Sequence, residues 1–177
     1  EWNELINNLS PLPSKDGVYL TSEGAPLIGH IAEQTDSPKG DDKFASDHPM
    51  PLGAFGMLPE SYLFTKAGMD STYNWIMKHW NWQKTWGWDY PMTAMCATRL
   101  GRPDDAVNAL LMPVPKNTYL NNGHNWQSDR LRCYLPGNGG LLTAIALMTA
   151  GYDSSTTKNP GIPTSWDVRW EGILPLP

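Results

Sequence analysis

Apolar positions recur along this chain in two distinct ways. Over 90–100 and 140–150 nearly every position is apolar or small, which predicts helices buried on all sides. Over 70–82 and 103–112 the apolar residues return at helical spacing on one face only. They are Tyr73, Ile76, Met77 and Trp80 in the first stretch, and Ala106, Val107, Leu110 and Leu111 in the second. These predict helices with a solvent face. The two kinds alternate, and buried starts near 50, 90 and 140 recur at a period of ~40–50 residues, the spacing of stacked helical hairpins. The expected fold is all-α, with an inner and an outer layer of helices.

Helix punctuation sharpens this outline. Asp70 or Ser71 is suited to cap the helix over 70–82, and Asp89 followed by Pro91 is suited to open the next one. Gly101 is placed to stop that helix, and Pro103-Asp104-Asp105 to start another with acids in its first turn. Gly151 closes the helix over 140–150. Residues 1–9 read as a helix end stopped by Pro11 and Pro13. Residues 15–49 read as loop with a short strand at Val18-Tyr19-Leu20, and 50–58 as a short helix. The stretch 113–138 is a long loop rich in Asn and Pro, and Asp167–Ile173 alternates loosely like a strand.

In a two-layer arrangement, segments leading into inner helices reach the same rim. Here these are 21–49, 83–89 and 113–138. They carry Glu23, Asp47, His48, Trp86, Trp88, Asp89, His124, Asn125, Trp126 and Asn138. The densest chemistry is Trp86-Gly87-Trp88-Asp89, a carboxylate among indoles. Aromatic faces stack on the apolar faces of sugar rings, and a nearby carboxylate transfers protons. Asp89 also suits plain helix capping, and the two roles are compatible. Asp47 before Pro49 has the same double reading. His124-Asn125-Trp126 and Asn138 offer donors for sugar hydroxyls, or simply turn chemistry. Gly137-Asn138-Gly139-Gly140 reads as a tight turn, with backbone N–H groups able to approach an anion as the lesser alternative.

Bulk properties narrow the classes. The chain has 177 residues, 40% of them apolar, which supports one domain with a real core. A net charge of −5 with no Lys/Arg cluster argues against nucleic acid as a partner. No apolar run reaches the ~18–20 residues of a membrane span. Cys96 and Cys133 lack metal-ligand spacing, and histidines 30, 48, 79 and 124 are dispersed, so neither metal nor cofactor is expected. No signal peptide is visible, yet Glu1 is not a natural start, which predicts processing or further sequence upstream.

Several stretches resemble a known superfamily. They are Ser46-Asp47-His48-Pro49-Met50-Pro51-Leu52-Gly53, Trp86-Gly87-Trp88-Asp89, Leu100-Gly101-Arg102-Pro103, Lys116-Asn117-Thr118-Tyr119 and Leu135-Pro136-Gly137-Asn138-Gly139-Gly140. Together they look like the catalytic domain of six-hairpin glycosidases, in an order similar to inverting alpha-L-fucosidase-like and maltose-phosphorylase-like bacterial proteins. The resemblance covers nearly the whole chain. It implies an (α/α)6 toroid whose funnel is lined by the loops entering the inner helices. On that reading 1–164 is the C-terminal half of a catalytic barrel, completed by an upstream segment. Residues 165–177 form a strand-like tail leading to or pairing with an accessory β-domain. A carbohydrate substrate and glycosidic bond cleavage with inversion through a carboxylate pair are implied. A periplasmic or extracellular location is expected rather than a cytoplasmic one.

One departure stands out. The fucosidase-like enzymes carry an Asp just before a Gly-Asn-Phe-Gly-Gly turn, whereas residues 135–140 here hold no acid. An activating carboxylate then comes from elsewhere. Asp89 is the first choice as base or sugar-binding group, Glu23 as general acid and Asp47 as the third candidate. His48, Trp86, Trp88, His124, Asn125, Trp126 and Asn138 are assigned to substrate binding. A glycoside phosphorylase is the alternative enzyme, and a non-catalytic carbohydrate-binding protein on a degenerate barrel is the alternative of another class.

Overall fold

The structure, a computed structural model, describes residues 2–28 and 43–177. The part of the expected rim loop that holds His30 lies outside the described residues. The chain is mostly helical, with two small sheets. Its helices are α1 (Trp2–Asn7), α2 (Lys43–Ser46), α3 (Met50–Gly56), α4 (Lys66–His79), α5 (Asp89–Leu100), α6 (Pro103–Leu110) and α7 (Leu135–Ala150). Strands β1 (Ser14–Lys15) and β2 (Val18–Tyr19) form one antiparallel hairpin, and β3 (Thr118–Tyr119) and β4 (Asn125–Trp126) another.

Helix α5 is the centre. All twelve of its residues are buried, and it packs on α3, α6 and α7. Full burial of side chains such as Met92, Met95 and Leu100 contributes about 1.5–3 kcal/mol apiece. Two of its threonines are satisfied within the helix, because Thr93 and Thr98 donate to the carbonyls of Asp89 and Ala94 at 2.7 and 2.8 Å. Gly101, at φ 80°, ends the helix in the left-handed region as the sequence indicates. Helix α3 crosses α5 at backbone contact. A Cβ on Gly56 would lie 2.6 Å from the Cys96 nitrogen, so only glycine permits the approach.

Three helix boundaries differ from expectation. Helix α4 begins at Lys66 rather than near 70. Thr65 is its cap, with its hydroxyl accepting from Gly68 N at 3.0 Å, while Asp70 pairs with Arg102 instead. Met69 extends the buried stripe one turn toward the N-terminus, and the helix stops at His79, before the expected 82. Helix α6 ends at Leu110. Ala106 and Val107 face inward as expected, but Leu111 is exposed beyond the helix end.

The third difference is α7, which starts at Leu135. Gly137-Asn138-Gly139-Gly140 is therefore helix, not turn. Tertiary packing overrides the poor helix propensity of glycine. A Cβ on Gly137 would overlap the side chain of Asn125, and one on Gly140 would sit 2.8 Å from Pro91 Cγ. Nor is α7 buried all round. Ala144, Leu147 and Met148 face the core, while Leu135, Leu142 and Ile145 are exposed, Leu142 at 71%.

The tail contains no strand over 167–173, which corrects the loose alternation read there. Its end turns back along the body. Leu176 N donates to Gly151 O and Asp153 N to Leu176 O, each at 3.0 Å. No helix of the described residues is long and apolar enough to cross a membrane.

Candidate functional site

The site forms where the loop 80–88 enters α5. Trp88 occupies the cap position in helical conformation and makes no side-chain cap bond. Asp89 is thus the first helical residue rather than the cap. Its carboxylate turns inward and has no exposed surface. Oδ2 accepts from Trp86 N at 2.9 Å and from the Thr85 hydroxyl, which in turn accepts from Trp80 Nε1 at 2.9 Å. Oδ1 lies 3.0 Å from His48 Nδ1. Burial holds the Asp89 carboxyl above its ordinary range, against the opposing pull of the bonds from His48, Thr85 and Trp86.

His48 arrives from the segment between α2 and α3, where Pro49 is buried and fixes the approach. Its bond to Asp89 raises its pKa above the usual imidazole range, against a lowering by burial and with support from the charges of Asp89 and Asp47. On the outer side of the ring, His48 Nε2 lies 3.5 Å from Asp47 Oδ1. The same oxygen accepts from Trp86 Nε1 at 3.1 Å. One imidazole therefore stands between two carboxylates. The inner is sealed, the outer is 56% exposed, and the ring between them is 25% exposed.

A second contact sharpens the chemistry. Trp88 Nε1 is 2.9 Å from the same His48 Nδ1 that faces Asp89. An imidazole nitrogen carries either a proton or a lone pair. With a proton on Nδ1, His48 donates to Asp89 and the indole N–H has no acceptor there. With the lone pair, Nδ1 accepts from Trp88 and the donation to Asp89 is lost. The position of a single proton selects between the two.

Aromatic rings surround the pair. Trp88 meets His48 edge-on at 5.0 Å between centroids, and Trp86 lies 6.0 Å from His48 and 5.7 Å from Tyr134. Lys116 Nζ sits 5.2 Å from the Trp86 ring and donates to Lys84 O at 2.8 Å. These rings are half-buried.

The remaining expected residues divide. Asn125 is fully buried and pins the loop 113–134. Its amide donates to the carbonyls of Lys116 and Thr118 at 3.1 and 3.2 Å and accepts from Gln127 Nε2 at 3.1 Å. Asn138 accepts from Asn125 N at 3.0 Å and donates to Gly123 O at 2.7 Å. Both hold the scaffold together; Asn125 has no exposed surface to offer a substrate, whereas Asn138 is only half-buried. Glu23 occupies an exposed turn beyond the β1–β2 hairpin. That hairpin builds its own small cluster of Val18, Leu20 and Leu27. Glu23 joins no hydrogen bond of the Asp89 group. His124 lines a separate open hollow of about 630 Å³ with Tyr119, Arg132 and Cys133, and Trp126 lies half-buried in β4.

Sequence reading missed Thr85, Lys116, Gln127 and Tyr134. Gln127 ties the two rim loops together by accepting from Gly87 N at 3.1 Å, and a Cβ on Gly87 would overlap Asn125. The glycine between two tryptophans was the visible signal, since it marks close backbone approach. Among the described residues no group of three or more His, Cys, Asp or Glu is placed to hold a metal ion. No family model, curated protein or solved structure matches the chain.

Proposed function

We propose that this chain is a carbohydrate-active enzyme, a glycoside hydrolase that cleaves with inversion. The observation that carries the reading is the Asp47–His48–Asp89 array at the mouth of α5, walled by Trp86, Trp88 and Tyr134. The half-exposed aromatic rings supply a surface for a sugar ring, and the array supplies groups that take up and release protons.

The roles follow from exposure. Asp47 and His48 are the groups a substrate meets, while Asp89 is sealed beneath them. Asp89 is therefore a positioning residue. It orients the imidazole and favours its charged form. A cationic His48 donates a proton to the departing oxygen, and Asp47 accepts one from the attacking water. The two carboxylates contact opposite nitrogens of one ring. The proton donor and acceptor of this scheme, His48 and Asp47, stand 3.5 Å apart in the free protein, so substrate and water must separate them toward the roughly 6.5–9.5 Å of an inverting pair. The pair first expected, Asp89 with Glu23, gives way to this one.

The finer fold reading, half of an (α/α)6 toroid, belongs to the same proposal. Consecutive pairs α3–α4 and α5–α6, with α5 flanked by α3 and α7, support it. The exposed apolar face of α7 is where further hairpins would close the ring.

The test is a panel of aryl glycosides with and without phosphate, with the anomer of the product followed by NMR. Inverted product, lost by about 10²–10⁴-fold in Asp47→Asn and in Asp89→Asn, is the expected result. Asp89→Asn should leave the melting temperature nearly unchanged, because the amide oxygen still accepts from Trp86 N and Thr85. Undiminished turnover in Asp47→Asn would refute its role. Phosphate-dependent release of a sugar 1-phosphate would make the chain a phosphorylase. Sugar binding without turnover would make it a binding protein.

A further inference from the structure

A second cavity lies at the far end of α5. It measures about 590 Å³ and is bordered by Thr98, Arg99 and Gly101. At a rise of about 1.5 Å per residue, Arg99 is roughly 15 Å along the helix from Asp89. This cavity is therefore not part of the array described above.

Its walls combine three kinds of group. Its apolar lining comes from Phe55, Phe64 and Ile162. Hydroxyls come from Ser61, Ser155, Thr157 and Thr164 among others. Three cations border it, Lys66, Arg99 and Lys158, against the single carboxylate of Glu60, which accepts from the Ser154 hydroxyl at 2.9 Å.

Arg99 is the unusual member. It is 6% exposed, and no carboxylate lies within ion-pair distance of it among the described residues. Nε donates to Gly56 O at 3.1 Å and Nη2 to Pro177 O at 2.5 Å. Its guanidinium lies over the Tyr152 ring at 4.5 Å. The hydrogen bonds of the described residues leave Nη1 without an acceptor. The charges of Glu60 and Asp153 act on the guanidinium from further off, and Nη1, unbonded but not sealed from solvent, remains a free donor.

We propose that this cavity binds a small polyhydroxylated anion, with Arg99 and Lys66 on its phosphate or carboxylate group. The serine and threonine hydroxyls then meet the hydroxyls of its body, and Lys158 closes the outer side. A planar guanidinium with a free nitrogen and a nearby ammonium suits either oxyanion, and the hydroxyl wall suits a sugar-like carbon chain.

The test is calorimetric titration of the full chain with glucose 6-phosphate, glucuronate, inorganic phosphate and glucose. Binding of glucose 6-phosphate or glucuronate, with glucose at least tenfold weaker, is expected; whichever of the two binds more tightly identifies the oxyanion. Lys66→Ala/Lys158→Ala should weaken that binding by about tenfold, the effect of a lost charge-assisted contact. Both lysines are exposed, so the melting temperature of the free protein should not move. Absence of binding by both charged sugars at millimolar concentration would overturn the proposal, as would equal affinity in the double variant. Asp47→Asn should bind these probes like the parent, which separates this outcome from failure of the glycosidase reading.

Discussion

The two ends of α5 solve the same problem with different chemistry. Asp89 opens the helix and Arg99 stands one residue before its end, and both are buried. The helix dipole favours both, since its N-terminus attracts an anion and its C-terminus a cation. At the Asp89 end the compensating group is an imidazole, which itself gains and loses a proton near neutrality. At the Arg99 end the direct contacts are two backbone oxygens and a phenol ring, none of which changes charge there near neutral pH, with Glu60 and Asp153 acting from further off. One end is adjustable and the other is fixed. Proton chemistry belongs where the charge adjusts, and ligand holding where it does not.

The comparison is broken most severely at Asp89. Asp89→Ala strands the Thr85 hydroxyl, the Trp86 N–H and His48, and unfolding in urea should show a loss of roughly 3–5 kcal/mol. Arg99→Met keeps much of the volume but leaves Gly56 O and Pro177 O without their donor. A loss of about 2–3 kcal/mol is expected, with faster proteolysis of the tail as a second readout. Gly87→Ala drives a methyl into Asn125 and should cost about 1–3 kcal/mol while loosening both rim loops, measurable by hydrogen exchange at Gln127.

The smallest effect is on pH dependence, and it sharpens the contrast. Asp89 and His48 both have raised pKa values, so the folded state holds protons more tightly than the unfolded chain. The His48 contribution is complete below its ordinary value of 6.5 and is lost as pH rises through the raised folded value. Asp89 acts in the same sense, favouring the folded state as pH falls from its raised value toward 3.8. The melting temperature should therefore decline as pH rises just above 6.5, and His48→Gln should flatten that decline. Arg99→Met should leave it intact.

What could be read in advance divides along the same helix. Helix α5 was legible because its pattern, its start at Asp89-Tyr90-Pro91 and its stop at Gly101 agree. Helix α7 was misread at its start, because glycines that serve close contact with Asn125 and Pro91 look like turn residues until those neighbours are known. The grouping of Asp47, His48, Trp86, Trp88 and Asp89 was also legible. The direction of the Asp89 carboxylate was not, since it depends on His48 from 41 residues away and on Thr85. The burial of Asn125 was not legible, because an amide that pins a loop and one that binds a sugar carry the same sequence signature.

The sharing of His48 Nδ1 by Trp88 and Asp89 has a spectroscopic consequence. Because the indole N–H gains or loses an acceptor according to where one proton sits, Trp88 is a built-in optical indicator of the array. The difference between the fluorescence of the parent and of Trp88→Phe isolates one of nine tryptophans. Its emission should shift with pH in step with the titration of His48, so the protonation state of the array becomes visible without substrate, label or turnover.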